Sequence, residues 1–301
     1  MQYKIFNLIA GQTKLRVFAI FMAMVFCAAC ITKPEKSTNQ ITITDELGRT
    51  LHVVANPQRI VSLAPSVTET LFALGVDEKV VGVTSYCDYP QAAKSKVKVG
   101  DTLRPNLERI IALKPDLVII STSSQLEVFV KLLEEAGIPV YVNNPRTLEE
   151  TINSIQRLGE ISGASAQGKE LAETLRARIA LVHSRIQADK PPKVFIMLGA
   201  EPLITAGGKS FINDLVTQAG GISISRDESA DYPQYSLETV IARQPEVIFL
   251  QAGDEKLPAR LQKTPAARNG KVFHINDDLL LRPGPRIVDG LEDMAAKINS
   301  K

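Results

Sequence analysis

The sequence contains no tryptophan, three histidines and three cysteines, and aromatic residues make up only 5% of it. Without indole rings, any aromatic contact to a ligand must come from tyrosine or phenylalanine. His52, His183 and His274 lie in separate segments, none four residues from another, which excludes a clustered zinc or manganese site. Cys27 and Cys30 stand close together near the start, so Cys87 is alone in the body of the chain. It has no partner for an intramolecular disulfide and no companions for a thiolate metal site, and it reads as a small packing residue. An excess of one charge is also missing. The net charge is +2, and Lys4, Lys14 and Arg16 fall in an N-terminal segment without acids. The remainder is nearly neutral, and no basic stripe suggests a nucleic-acid partner. Finally, no glycine- or serine-rich linker interrupts the middle of the chain.

The apolar run VFAIFMAMVFCAA, Val17 to Ala29, is short of the ~20 residues that span a bilayer. Behind its basic start it reads as an export signal. The small pair Ala28-Ala29 before Cys30 resembles a bacterial lipoprotein cleavage site, with Cys27 where leucine is usual. This predicts a signal peptide over 1–29 and a lipidated N-terminus at Cys30. The protein is then exported and anchored on the periplasmic or other extracytoplasmic side of a membrane. Residues 30–40 are polar, carry Pro34, and read as a flexible tether.

From residue 41 the pattern is that of a folded body. ITITDELGRTLHVV alternates about a turn at Glu46–Gly48 and predicts a β-hairpin. Strand-like and helix-like segments then alternate: RIVSLAP, SVTETLFALG, KVVGVT, NLERIIALKP, DLVII, LEVFVKLLEEAG, IPVYVN and TLEETINSIQRLGEISG. Such alternation predicts an α/β fold with a mainly parallel sheet. Ser66 and Glu69 have the spacing of a helix capping box. Ser165 to Lys190 follows without proline, with Leu171, Leu175, Ile179, Val182 and Ile186 at helical spacing. A second alternating series comes after Pro191-Pro192. The expected architecture is therefore two similar α/β lobes, over 41–164 and 191–301, joined by one long helix over 165–190.

One unit occurs twice. NLERIIALKPDLVII (Asn106 to Ile120) and SLETVIARQPEVIFL (Ser236 to Leu250) align without a gap, pairing Leu107 with Leu237, Glu108 with Glu238, Ala112 with Ala242 and Pro115 with Pro245. A glutamate in the first turn of a helix favours the positive dipole end, which explains either one alone. Two at matching positions of two lobes present one acid each to a two-fold partner.

Together with RIVSLAPSVTETLFALG, VVGVTSYCDYP, YPQYSLETVIARQPEVIFL and LLLRPGPRI, this unit resembles the class III substrate-binding proteins of bacterial ABC importers. Those proteins serve vitamin B12, ferric siderophores and haem. The resemblance runs from about Thr42 to Lys301. It implies two lobes bridged by one long helix, a monomer, and a ligand held between the lobes. It also implies partners in a permease dimer with ATPase subunits, docked through Glu108 and Glu238. In vitamin B12-binding members, a tyrosine, several tryptophans and an Asp–Arg pair line the cleft. Tyr86 matches that tyrosine, and Tyr232, Thr102, Ser121 and Leu198 fall where those members have aromatics. Asp278 and Arg282 match the polar pair. Cobalamin or another corrinoid is the first ligand implied, with ferric siderophore second and haem third; no covalent cofactor is implied.

Other features bear less weight. Arg282, Arg286 and Arg104 offer planar donor forks for an anionic group on a ligand. Tyr86, Tyr89, Tyr232 and Tyr235 are phenols that reach iron only if the metal drives their deprotonation. AGGKS, Ala206 to Ser210, has Leu203 where a phosphate loop needs glycine, so it reads as a turn into a helix. His274 reads as structural. An enzyme with this layout would need a converging acid/base or metal-ligand cluster. The sequence offers only scattered Asp and Tyr, so the expectation is a binding protein.

Overall fold

The structure, a computed structural model, describes residues 40–121, 127–186, 190–251 and 256–300. The predicted signal peptide, Cys30, most of the tether and positions 187–189 of the predicted connecting helix lie outside the described residues. No helix among the described residues is long and apolar enough to cross a membrane. Both lobes belong to one compact unit, Gln40–Lys301.

The first lobe opens with the hairpin β1 (Gln40–Thr44) and β2 (Thr50–Val54), paired antiparallel as the alternation predicted. There follow β3 (Ile60–Ser62), α1 (Pro65–Ala73), β4 (Val80–Val83), β5 (Val97–Lys98), α2 (Leu107–Ala112), β6 (Leu117–Ser121), α3 (Glu127–Glu135), β7 (Val140–Asn143) and α4 (Leu148–Ser162). Five of these strands form a parallel sheet in the order β5-β4-β3-β6-β7. Successive residues of its strands point to opposite faces. Ile60, Leu117 and Ile119 join the core on one face, Val61, Val118 and Ile120 the core on the other. Burial on both faces is what the unbroken aliphatic runs require.

The connecting helix α5 (Ser165–Arg185) has 21 residues, about 32 Å at 1.5 Å per residue. It packs tightly on α4. Gly159 and Gly168 meet there, where a Cβ on either would lie about 3 Å from the backbone of the other.

The second lobe runs β8 (Lys193–Met197), β9 (Gly199–Ala200), β10 (Leu203–Ile204), α6 (Phe211–Gln218), β11 (Ile222–Ser223), α7 (Leu237–Arg243), β12 (Val247–Gln251), α8 (Pro265–Arg268), β13 (Val272–Ile275), α9 (Asp277–Leu281) and α10 (Ile287–Ile298). Its main sheet is parallel in the order β11-β8-β12-β13. In each lobe the chain starts in an inner strand, β3 or β8, and builds outward to both sides. Ligands bind at such switch points, beyond the carboxyl ends of the strands.

The sequence repeat is a structural repeat down to the backbone. Asn106 and Ser236 cap α2 and α7, each accepting from the amide three residues on. Lys114 and Gln244 both have positive φ, 46° and 53°, before the matching prolines. Asp116 accepts amide bonds from Gln58 and Arg59 at the start of β3, and Glu246 accepts from Lys193 at the start of β8. The left-handed turn leaves Lys114 exposed.

Helix α1 departs from expectation. It starts at Pro65 with Ala64 as N-cap and no side-chain cap, so Ser66 and Glu69 do not form a capping box. Glu69 is 2% exposed at its side chain. A carboxylate that deeply buried needs charged partners, and it finds them in the other lobe.

Candidate functional site

A cavity of about 1040 Å³ lies between the lobes. That is at the top of the usual range for small-molecule sites. The first lobe contributes the end of β6 (Ile120, Ser121), one face of α3 (Glu127, Val130, Lys131, Glu134), the hairpin tip, and the segment after β7 through Arg146. From the second lobe come Ser210 and Phe211 at the start of α6, Asp231, Tyr232, and the α9 segment from Leu280 to Pro283.

Each group reaches the cavity for a local reason. Ser121 follows four buried residues of β6 and is the first to emerge at the carboxyl end of the sheet. Ser210 accepts from the amide of Asn213 and so starts α6 at the cavity wall. The AGGKS loop before it is a turn into a helix, as read. A Cβ on Gly207 would lie 2.0 Å from the Ala230 carbonyl, and on Gly208 1.9 Å from that of Arg226. These close approaches hold the Asp231–Tyr232 segment against the loop. Tyr232 is half exposed, and burial, followed by the neighbouring Asp231, raises its phenol above the ordinary value.

Charges on the wall are largely paired. Arg146 of the first lobe reaches Asp231 of the second at 2.6 Å, with both side chains partly exposed. Arg49 is held by Asp45 at 2.7 Å and by Glu134 at 3.1 Å.

Beside the cavity stands a second cross-lobe cluster. Arg286 donates from Nε and Nη2 to the two oxygens of Glu69, each at 2.7 Å. Arg282 donates to Glu69 at 3.1 Å and to Asp88 at 2.7 Å, and pairs with Asp278 at 2.7 Å. Tyr89 covers the Arg286 guanidinium, whose carbon is 3.9 Å from the ring centroid. The hydrogen bond from Arg282 holds Asp88 below the usual carboxylate range. Glu69 raises the pKa of Arg286 further.

Among the residues singled out from sequence, Ser121 and Tyr232 line the cavity together. Asp278 and Arg282 lie one turn away in the ionic clamp, where Leu281 and Pro283 face the cavity and Arg282 turns toward Glu69. Tyr86 is exposed, Leu198 packs partly buried on the second-lobe core, and Thr102 is partly buried before α2. Arg104 donates its amide to Asp101 in the turn preceding α2. Tyr235 stacks on Phe195 within the second lobe. Cys87 is buried as a packing residue, its sulfur 3.1 Å from the Thr68 hydroxyl and 3.2 Å from that of Thr84. His274 lies on β13, 3.4 Å from the Gln251 carbonyl. Sequence reasoning missed Arg49, Lys131, Arg146 and Phe211 on the wall, and Glu69 in the clamp. Glu69 stands on the side of α1 away from the core residues Val67, Leu71 and Leu74, so no pattern in the sequence marked it as buried.

Glu108 and Glu238 are both exposed in the first turns of α2 and α7. No hydrogen bond or ion pair engages the Glu108 side chain among the described residues. Glu238 accepts from Arg260 at 2.5 Å. Its own backbone amide, then Arg260, lowers its pKa.

Two parallel α/β lobes, one helical connector and a cavity across the strand ends define a two-lobed binding protein. The chain belongs to the periplasmic binding protein family, whose profile matches residues 60–279. It is 32% identical over 247 residues to the vitamin B12-binding protein of Vibrio parahaemolyticus serotype O3:K6, covering 81% of this chain and 90% of that one. The crystal structure of the periplasmic vitamin B12-binding protein BtuF of Vibrio cholerae superposes with a TM-score of 0.74 at 31% identity, covering 81% of this chain and 97% of that one. The apo periplasmic haem-binding protein RhuT of Roseiflexus sp. RS-1 gives 0.72 at 29% identity, covering 80% and 97%.

Proposed function

We propose that this protein captures a metal-chelate ligand, a corrinoid first, between its lobes and delivers it to the permease dimer of an ABC importer. The observation that carries this reading is the cavity of about 1040 Å³ shared by both lobes. It is large enough for a macrocycle, and its apolar wall and charged rim suit a ligand with a flat body and polar arms. The protein acts as a monomer outside the cytoplasm, held to a membrane by lipid on Cys30, and ATP is hydrolysed by the importer's own subunits. Ser121 and Tyr232 contact the ligand. Tyr86, Thr102 and Leu198 serve a ligand that extends along the cleft, and Asp278 and Arg282 shape the site through the clamp. Titration of the purified protein with cyanocobalamin by calorimetry tests the reading. Saturable one-to-one heat is expected, and no heat at millimolar ligand sinks the corrinoid assignment.

A second reading, a haem or ferric siderophore cargo, is favoured by the absence of tryptophan and by the likeness to the Roseiflexus haem-binding protein. Haemin and ferrioxamine in the same calorimeter decide between the two.

Docking rests on Glu108 and Glu238. Unlike Asp116 and Glu246, which brace strands in both lobes, Glu108 engages no partner among the described residues and Glu238 meets only the exposed Arg260. Replacing both with alanine is expected to abolish cellular uptake of radiolabelled cyanocobalamin while leaving affinity within about twofold, since neither lines the cavity. A collapse of affinity would assign them to the ligand instead.

A further inference from the structure

We infer that the docking face is unequal in its two halves: Glu108, with the exposed Ile111 beside it, anchors the permease, whereas Glu238 docks only once Arg260 releases it. The inference rests on the reading of the two glutamates as docking groups and says how they differ.

Its ground is a break in the repeat. Ile111 and Ile241 stand at matching offsets, each three residues after its glutamate and so on the same side of its helix. In the second lobe a short 3-10 helix, Ala259–Lys263, packs along α7. Its Leu261 is buried in the core that holds Val240, and Ile241 packs against that core. The same short helix brings the Arg260 guanidinium to the Glu238 carboxylate at 2.5 Å.

Nothing equivalent reaches the first lobe's glutamate. There α3 packs on α2, but its one basic residue, Lys131, faces the cavity. Arg109, next to Glu108, turns its guanidinium to the Lys98 carbonyl at 3.2 Å. Positions 122–126, 187–189 and 252–255, outside the described residues, hold no lysine or arginine. Ile111 is 41% exposed, while its counterpart Ile241 is partly buried.

A two-fold permease offers both lobes the same surface, so any difference in docking comes from this chain. A cationic side chain with apolar neighbours meets Glu108 bare and covers Ile111 as it does so, which removes apolar surface from water. At Glu238 the same cation must first displace Arg260. That pair is exposed, 60% at Arg260 and 65% at Glu238, so holding it shut weakens docking by up to about fivefold.

The test is binding of the whole protein, purified in detergent, to the immobilised permease–ATPase complex of its own cell, read by surface plasmon resonance. Arg260→Gln is expected to tighten binding by up to about fivefold, and to give no gain when Glu238→Gln is present as well. Glu108→Gln should weaken binding more than Glu238→Gln does. Ile111→Ser should weaken it about threefold with the melting temperature unchanged, because the side chain is exposed. The inference alone is overturned if Arg260→Gln leaves binding unchanged or weakens it, if Glu238→Gln costs as much as Glu108→Gln, or if Ile111→Ser binds like wild type. If the wild type fails to bind the complex, or the double variant Glu108→Gln with Glu238→Gln binds as well as wild type, the docking reading itself falls, and this inference with it.

Discussion

Glu46 sits at the tip of the β1–β2 hairpin, where the turn docks on the free edge of β7. Its amide donates to the Val142 carbonyl at 3.2 Å, and its carboxylate accepts from the Asn144 amide. Asp45 beside it accepts from Leu47, Arg49 and Val142. The turn thereby covers an edge that would otherwise present unpaired backbone groups. Covering it costs Glu46 its hydration. Burial pushes its carboxyl up to about 6 from 4.5, against the opposing pull of the Asn144 amide and Arg157. Because the folded value exceeds the unfolded one, the folded state holds more protons between those limits. The stabilisation is complete below about 4.5 and is lost as pH rises through about 6. Glu46→Gln should therefore be the more stable protein at pH 8, by about 1 kcal/mol once partial exposure is allowed for. The advantage should vanish by pH 4. Melting curves of the two proteins across that range check this, and parallel curves would show that Glu46 titrates like a solvated acid.

The helices show how much the sequence could reveal and where it stopped. Periodicity marked α5, whose apolar residues recur every three or four positions, and the repeated unit marked α2–β6 and α7–β12 because the same turn, cap and strand brace recur. Short strands such as β9, β10 and β11 carry two residues each, too few for any period to register. The candidate site was legible only where it lay on motif segments, at Ser121 and Tyr232. Arg146 and Lys131 look like ordinary surface charges until the opposite lobe arrives. Helix α1 is the instructive miss. The serine-to-glutamate spacing read as a local cap, yet the acid faces two arginines more than 210 residues away in sequence. Local pattern cannot distinguish these uses, because both satisfy the same carboxylate. Stability can. A lost capping interaction costs about 1 kcal/mol, whereas removing one member of a buried ion cluster costs about 3–5 kcal/mol. The arginines are 16% and 18% exposed, which brings the expectation to about 2–4 kcal/mol. Glu69→Ala should lower the melting temperature by roughly 5–10 °C. A fall of only 1–2 °C would return Glu69 to the helix terminus.

Among the described residues, three ties of different strength join the lobes. The first is the rod α5 with α4, whose Leu148, Ile152 and Ile155 belong to the second lobe's core and whose Leu148 amide donates to Asp214 at 2.7 Å. Breaking it would expose a core, so it is permanent. Next comes the Glu69–Arg282–Arg286 clamp, too buried to open without leaving charges unpaired. Last is Arg146–Asp231, whose side chains are 54% and 36% exposed and which water replaces easily. A partly exposed pair of this kind contributes about 0.2–1 kcal/mol. The cavity lies where this weakest tie crosses, so opening for ligand exchange should take place there and leave the other two intact. Neutralising either partner, as Arg146→Gln or Asp231→Asn, should then speed cyanocobalamin release by up to about fivefold. It should also lengthen the separation between spin labels on Ala112→Cys and Gln262→Cys, two exposed positions in opposite lobes; buried Cys87 takes no label. The charge swap Arg146→Glu with Asp231→Arg should restore both the rate and the distance. If the single variants leave both unchanged, the lobes are held by the buried ties alone and the cavity fills without parting at this edge.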